Sequence, residues 1–390
     1  MNRESVFKPV WYALSLVFAG VLLSLVACSD DGGGVPVYAA WTGTKQFGMA
    51  TKDTSGFSVA TDAAGNVYVA GDTNGGLDGN TLTGIQDFFV TKYNSVGVKQ
   101  YTKQLGVMGE ITFARGVATD ADGNVYVVGY TSGGLDGNTL TGTRDFFVTK
   151  YDSAGTKQYT RQLGVAAADT YGNSVATDAS GNVYVAGYTN GGLDGNTLTG
   201  TRDFFVTKYN SAGTKQHTKQ LGVAAANTYG YSVATDDSGN VYVAGQTSGN
   251  LDGVLKTGIV DFFVTKYDSA GSKQYTKLLG VTEFSTRARS VTTDASGNVY
   301  VIGDTDGGLD GNTLTGLQDF FVTKYDSVGT KQYTKLLGVA GVDTGGRSVA
   351  TDDSGNVYVA GVTFGGLDGN TLVGTSDTFV TKYDSAGVKQ

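Results

Sequence analysis

Six positions spaced 58 residues apart carry Phe57, Arg115, Asn173, Tyr231, Arg289 and Arg347. The residues that follow each of them, Ser-Val-Ala-Thr-Asp or a close variant, hardly change from copy to copy. Freedom at one position inside a fixed frame points to a ligand site. Arranged around one axis, three arginines with phenol, phenyl and amide groups could bind a carboxylate, a phosphate or a sugar. The plainer expectation is that these side chains only fill or solvate the mouth of a channel.

A second set offers oxygen ligands. Asp136, Asn138 and Asp145 recur as Asp194, Asn196 and Asp203, one unit later. Calcium takes six to eight oxygens, usually from closely spaced carboxylates. Here the two aspartates of a set stand nine residues apart, and Val254 replaces the Asn in the fourth unit. Asp-Gly-Asn is also a good turn former without any metal, so the expectation is no cofactor, with calcium as the one candidate ion.

Signatures of catalysis are sparse. His217 is the sole histidine and stands where Tyr101, Tyr159 and Tyr275 stand in other units, as a strand-position substitute. Glu110 and Glu283 are the only glutamates beyond the amino-terminal leader. Paired-carboxylate hydrolysis needs two carboxyls within about 10 Å, and these two are more than two units apart in sequence. No catalytic residues are assigned, and the chain reads as a non-enzyme.

The elements that must position these residues follow from the repeat. Val59, Val117, Val175, Val233, Val291 and Val349 each begin a Val-Ala-Thr-Asp-like string, 58 residues apart without an insertion. Such spacing is the mark of a propeller or solenoid. Within the third unit, strands are expected at 174–177, 182–189, 203–209 and 215–221, free of Pro and bounded by Gly, Asp, Asn or Ser. Asp178 to Asn182 and Asn210 to Gly213 have the Asx-x-x-Gly form of a tight hairpin, whereas 191–200 is a longer loop. Lysines recur on the fourth strand, which suits an outer edge. Four sequential antiparallel strands make a propeller blade. The tight turns then share one face, and the Leu-Asp-Gly-Asn loops and inter-blade connections share the other, where variation concentrates.

The chain ends before a fourth strand of the last unit could form. Residues 45–48 lie 58 before 103–106, an orphan fourth strand, so residues 41–48 are expected to complete the last blade and close the ring. The expected fold is all-β: a six-bladed β-propeller over 41–390 with four-stranded antiparallel blades. Units of the form Val-Ala-Thr-Asp-x-x-Gly-Asn-Val-Tyr-Val-Ala-Gly, Leu-Asp-Gly-Asn-Thr and Asp-Phe-Phe-Val-Thr-Lys-Tyr-Asp resemble the bacterial SBBP β-propeller repeat. The Trp41 to Gly48 segment is similar to that family's fourth strand. The resemblance implies the fold and brings no established reaction.

At the amino terminus, Arg3 and Lys8 precede an apolar run from Ala13 to Val26 that ends in Leu25-Val26-Ala27-Cys28. It resembles a bacterial lipoprotein signal peptide, 1–27, with Cys28 as the lipidated residue and 28–40 as a tether. Cys28 is the only cysteine, so no disulfide forms within the chain. Ser29 after it implies anchoring to the outer membrane of a bacterial envelope, facing the periplasm or the exterior. The net charge of −8 and dispersed lysines argue against nucleic acid. The chain is therefore expected to be a lipid-anchored binding or protein-interaction platform for a protein or glycan. A structural surface component, or a propeller hydrolase or lyase, are the alternatives.

Overall fold

The computed structural model describes residues 41–390. The signal segment 1–27, Cys28 and the tether 28–40 lie outside the described residues. The six units form six sheets, blades I to VI, each built of sequential antiparallel strands. In blade III the strands are Thr170–Thr177, Val183–Thr189, Asp203–Tyr209 and Lys215–Leu221. Blades I to V have four strands; blade VI has three, Thr344–Thr351, Val357–Thr363 and Asp377–Tyr383. The expected six-bladed propeller is thus the fold. The only helical turns among the described residues are three-residue pieces such as Leu193–Gly195, and no helix there is long and apolar enough to cross a membrane.

The hairpins form as their chemistry dictates. Asp178 Oδ1 accepts the amides of Ser180 at 3.0 Å and Asn182 at 2.9 Å, and Gly181 takes φ +72°. Its Oδ2 accepts Asn182 Nδ2 at 2.8 Å and the Tyr184 hydroxyl at 2.9 Å. One carboxylate therefore shapes the turn and satisfies a tyrosine that is otherwise buried in the core. The same device recurs in every blade, for example Asp120 with Tyr126 and Asp294 with Tyr300.

The cores lie between blades rather than within them. Tyr68, Phe88 and Val90 of blade I pack with Val117, Val127, Leu135 and Phe147 of blade II, and four equivalent clusters follow through blade VI. Phenylalanines stack across each interface, Phe88 on Phe147 at 5.0 Å and Phe146 on Phe205 at 5.1 Å. At the centre the first strands join edgewise: Thr119 Oγ1 donates to the Thr61 carbonyl and Thr177 Oγ1 to the Thr119 carbonyl, each at 2.8 Å.

Residues 41–48, expected to complete blade VI, form no strand and lie against blade I. Phe47 packs edge-on against Phe89 at 5.6 Å, as Leu105 packs on blade II. Trp41 lies over Gly97 and against Tyr93, as Tyr101 lies over Gly155. In this structure residues 41–48 are not paired to Asp377–Tyr383, whose Val380 is 59% exposed. A compensation in the sequence still matches the two. In blades I to V a third-strand Phe opposes a fourth-strand Leu, as Phe88 opposes Leu105. Blade VI has Thr378 at the Phe position, and the orphan segment has Phe47 at the Leu position, so the aromatic bulk has moved from one strand to the other.

Candidate functional site at the channel mouth

The first strands are longer than the sequence pattern suggests, and the difference builds the site. Each begins at the residue equivalent to Thr170, eight residues in all, and carries a β-bulge. The residue that the ladder register skips is Phe57, Arg115, Asn173, Tyr231, Arg289 or Arg347. All six expected ring residues are thus bulge residues inside the strand, not residues ahead of it. A bulge re-aims its side chain out of the pleat, and here all six are half-buried around the inner strands. The glycine opposite is required by the kink: a Cβ at Gly187 would lie 1.8 Å from the Tyr171 carbonyl oxygen.

The bulge residues are joined by neighbours that sequence reading did not single out. The sixth residue of the second strand is Asp72, Tyr130, Tyr188, Gln246, Asp304 or Val362 in successive blades. Two residues before each bulge stand Ser55, Phe113, Tyr171, Tyr229, Arg287 and Gly345, directly opposite that row. The residue preceding the third strand is Arg144 in blade II and Arg202 in blade III. Variation between units at three further fixed positions was the signal available.

In blades II to IV these positions produce a continuous run of aromatic rings. Phe113 meets Tyr130 at 5.2 Å, Tyr130 meets Tyr171 at 4.8 Å, and Tyr171 meets Tyr188 at 4.9 Å. Tyr188 meets Tyr229 at 4.8 Å, and Tyr229 stacks on Tyr231 at 5.8 Å. Burial raises the Tyr171 and Tyr188 hydroxyls above the usual phenol range, so both stay protonated. Arginines border the run at matching places. Arg144 Nη1 donates to the Tyr171 hydroxyl at 3.0 Å and to Asp169 at 3.2 Å. One blade on, Arg202 Nη1 donates to the Tyr229 hydroxyl at 3.1 Å and to Asn227 at 3.3 Å. Arg115 lies over Phe57 at 5.0 Å and Tyr130 at 5.5 Å. Asn173 Nδ2 is committed to the Gly230 carbonyl at 2.8 Å.

Blade V and its neighbour replace aromatics by charge. Asp304, fully buried, accepts from Arg289 Nε at 2.8 Å, Arg287 Nη1 at 3.4 Å and Arg347 Nη1 at 3.5 Å. Arg287 also reaches Asp306 at 3.3 Å, and Gln318 Nε2 donates to Asp306 at 2.9 Å. Three guanidiniums against two carboxylates leave one net positive charge. At the opposite end, Asp72 of blade I is 2% exposed and its Oδ1 has no hydrogen-bond partner. Burial pushes its carboxyl up to about 7, against the pull of Arg115 and a hydrogen bond from Gln86.

Counting arginines shows how selective this face is. Seven of the eight lie in the described residues, and all but Arg161 belong to the mouth. Arg161 is on a fourth strand and donates to the Gly213 carbonyl at 2.7 Å. Asp72, Asp169, Asp304 and Asp306 lie among them, so this face gathers arginines and carboxylates together in a chain with net charge −8.

The oxygen sets considered for calcium are not brought together. Asp136 pairs with Lys157, while Asp145 accepts Thr141 N at 2.7 Å, Gly142 N at 2.8 Å and Gln162 Nε2 at 3.0 Å. Lys157 and Gln162 stand at opposite ends of one strand, five residues or about 16 Å apart. Asp194 with Lys215 and Asp203 with Gln220 repeat the arrangement. Asn138 and Asn196 turn their amides to the Leu135 and Leu193 carbonyls, each at 2.7 Å. These residues build loops. Among the described residues no three His, Cys, Asp or Glu side chains gather as a metal cluster. His217 lies over Gly271 on the outer strand; burial, Lys219 and Lys208 lower its pKa.

Fold and mouth together define a repeat propeller whose one variable face carries an aromatic and arginine surface. The chain belongs to the SBBP beta-propeller repeat family, whose model matches residues 43–78, 100–136, 158–194, 216–252, 274–310 and 332–368. It is 30% identical over 313 residues, 72% of the chain, to the regulatory protein FlaEY of Caulobacter vibrioides, and spans 31% of that protein's length. Among solved structures, it is similar to a PL25 ulvan lyase with TM-score 0.44 and 12% identity, over 84% of this chain and 80% of that one. It is also similar to XC5397, a gluconolactonase from Xanthomonas campestris, with TM-score 0.40 and 11% identity, over 79% and 83% of the chains.

Proposed function

We propose that this chain is a lipid-anchored, non-enzymatic protein of the bacterial envelope whose propeller binds a partner at the channel mouth. The observation that carries the reading is the gathering of six arginines and a run of tyrosines on one face of an otherwise uniform repeat. Tyrosine and arginine dominate binding energy at recognition surfaces because they combine large area, hydrogen bonding and low ordering cost. Their mutual contacts also hold them in place before a ligand arrives, which reduces the entropy lost on binding. The regulatory name of the Caulobacter relative suits a binding role. Anchoring rests on Cys28 and the signal-like segment before it.

Two measurements test the reading. The full-length protein should capture a saturable partner from detergent-solubilised envelope, and the Arg144→Gln/Arg202→Gln/Arg347→Gln variant should lose it. Equal capture by the variant would show that the mouth is not the binding face. Labelling cells with palmitate should mark the wild type and leave Cys28→Ser unlabelled and released from the membrane fraction. An unlabelled wild type would remove the anchor.

A further inference from the structure

The tyrosine run is periodic, and its period matches the blades. Phe113, Tyr171 and Tyr229 are equivalent, as are Tyr130 with Tyr188 and Arg144 with Arg202. The contacts repeat too: Tyr130 to Tyr171 and Tyr188 to Tyr229 are both 4.8 Å, edge to face. The Arg144–Tyr171 hydrogen bond at 3.0 Å has its counterpart in Arg202–Tyr229 at 3.1 Å. A linear polymer carries its groups at a fixed step and suits a strip that repeats in this way. We infer that blades II to IV form a binding strip for a linear acidic polysaccharide. Its sugar rings lie over the tyrosines, and its carboxylates or sulfates meet Arg115, Arg144 and Arg202. This assignment rests on the reading of the mouth as the binding face and names its ligand class.

The chemistry of the strip selects among repeating polymers. Rings already in contact, with centroids 4.8–4.9 Å apart, leave no slot for an inserted nucleobase, so the strip offers a surface to lie on. The C–H face of a pyranose suits such a surface, because the electron-rich ring faces attract its weakly positive hydrogens. Arginine forks recognise carboxylate and sulfate in two-point geometry. Two carboxylates border the strip's three arginines: Asp169, which Arg144 engages, and Glu110, which accepts the Ser132 hydroxyl at 2.7 Å. The charge left over is therefore positive and favours an anionic chain.

Calorimetry on the full-length protein in detergent tests this directly. The probes are a hexagalacturonate, a chondroitin sulfate hexasaccharide, neutral cellohexaose and a thymidine hexanucleotide. At least one acidic hexasaccharide should bind about tenfold or more tightly than cellohexaose, and hexamers should bind more tightly than dimers. Arg144→Gln/Arg202→Gln should abolish the preference for acidic chains, and Tyr229→Phe should leave it nearly intact because the ring remains. Failure of both acidic hexasaccharides to bind, equal binding of cellohexaose, or tighter binding of the hexanucleotide would each overturn the assignment. If acidic glycans fail while the arginine variants still lose the envelope partner, the mouth remains the binding face and only the ligand class falls.

Discussion

Replacing Asp72 by Asn should stabilise the propeller at pH 8 and leave it nearly unchanged at pH 4. Asp72 is 2% exposed, and its Oδ1 has no hydrogen-bond partner. Burial raises its carboxyl to about 7 from an ordinary value of 3.8. A carboxyl raised in this way keeps its proton in the folded state when the unfolded chain has already lost it. Its contribution to stability is therefore whole below about pH 4 and is lost as pH rises from 4 through 7. Each unit is worth about 1.4 kcal/mol, so a rise of roughly three units corresponds to about 4 kcal/mol between pH 4 and pH 8. Relaxation of the site and approach of Arg115 reduce this, and a gain of about 2–4 kcal/mol at pH 8 is expected for Asp72→Asn. The assay is urea unfolding of both proteins at half-unit pH steps, with the difference between them plotted so that other titrating groups cancel. A difference that stays flat with pH, or an Asn variant that is the less stable at pH 8, would refute the argument.

Two further predictions follow from the turns and the joint. Asp178→Ala strips hydrogen bonds from Asn182, two backbone amides and the buried Tyr184 hydroxyl; a loss of about 3–5 kcal/mol is expected in denaturant titration, and Tyr184→Phe alone should cost only about 1 kcal/mol. If Thr378 and Phe47 share a joint, Phe47→Leu should destabilise by about 1–2 kcal/mol and Thr378→Phe should recover much of it. Strictly additive effects in that double-mutant cycle would mean that residues 41–48 do not complete blade VI.

Much of the fold was legible because the unit recurs without insertion. The third strand, Asp203–Tyr209, and the fourth, Lys215–Leu221, fall where the residue pattern puts them. The first strand runs four residues further back than its pattern marks, for a physical reason. Within its opening residues, Thr170 to Asn173, the positions of Tyr171 and Asn173 vary between units and Asn173 is a bulge, so alternation does not mark them as strand. The site was half legible for the same reason. Phe57, Arg115 and their four counterparts are marked by the nearly constant string that follows them. Tyr130 and Tyr188 did not, because within Val-Tyr-Val-Ala-Gly-Tyr-Thr a second tyrosine reads as one more strand aromatic. Only comparison with Asp72, Gln246 and Asp304 at the same place reveals a position released from the core. The Asp-Gly-Asn sets read as turn formers, and their carboxylates do shape loops and pair with lysines.

The proposed function requires binding at the mouth, on the face carrying the bulges. Hydrogen exchange of the full-length protein, with and without solubilised envelope, tests it most directly. Protection is predicted in peptides spanning 111–116, 128–132, 169–174, 186–190 and 227–232. The turns around Asp62, Asp120, Asp178 and Asp236 on the opposite face should exchange as before. Protection confined to those turns, with the mouth unchanged, would contradict the account.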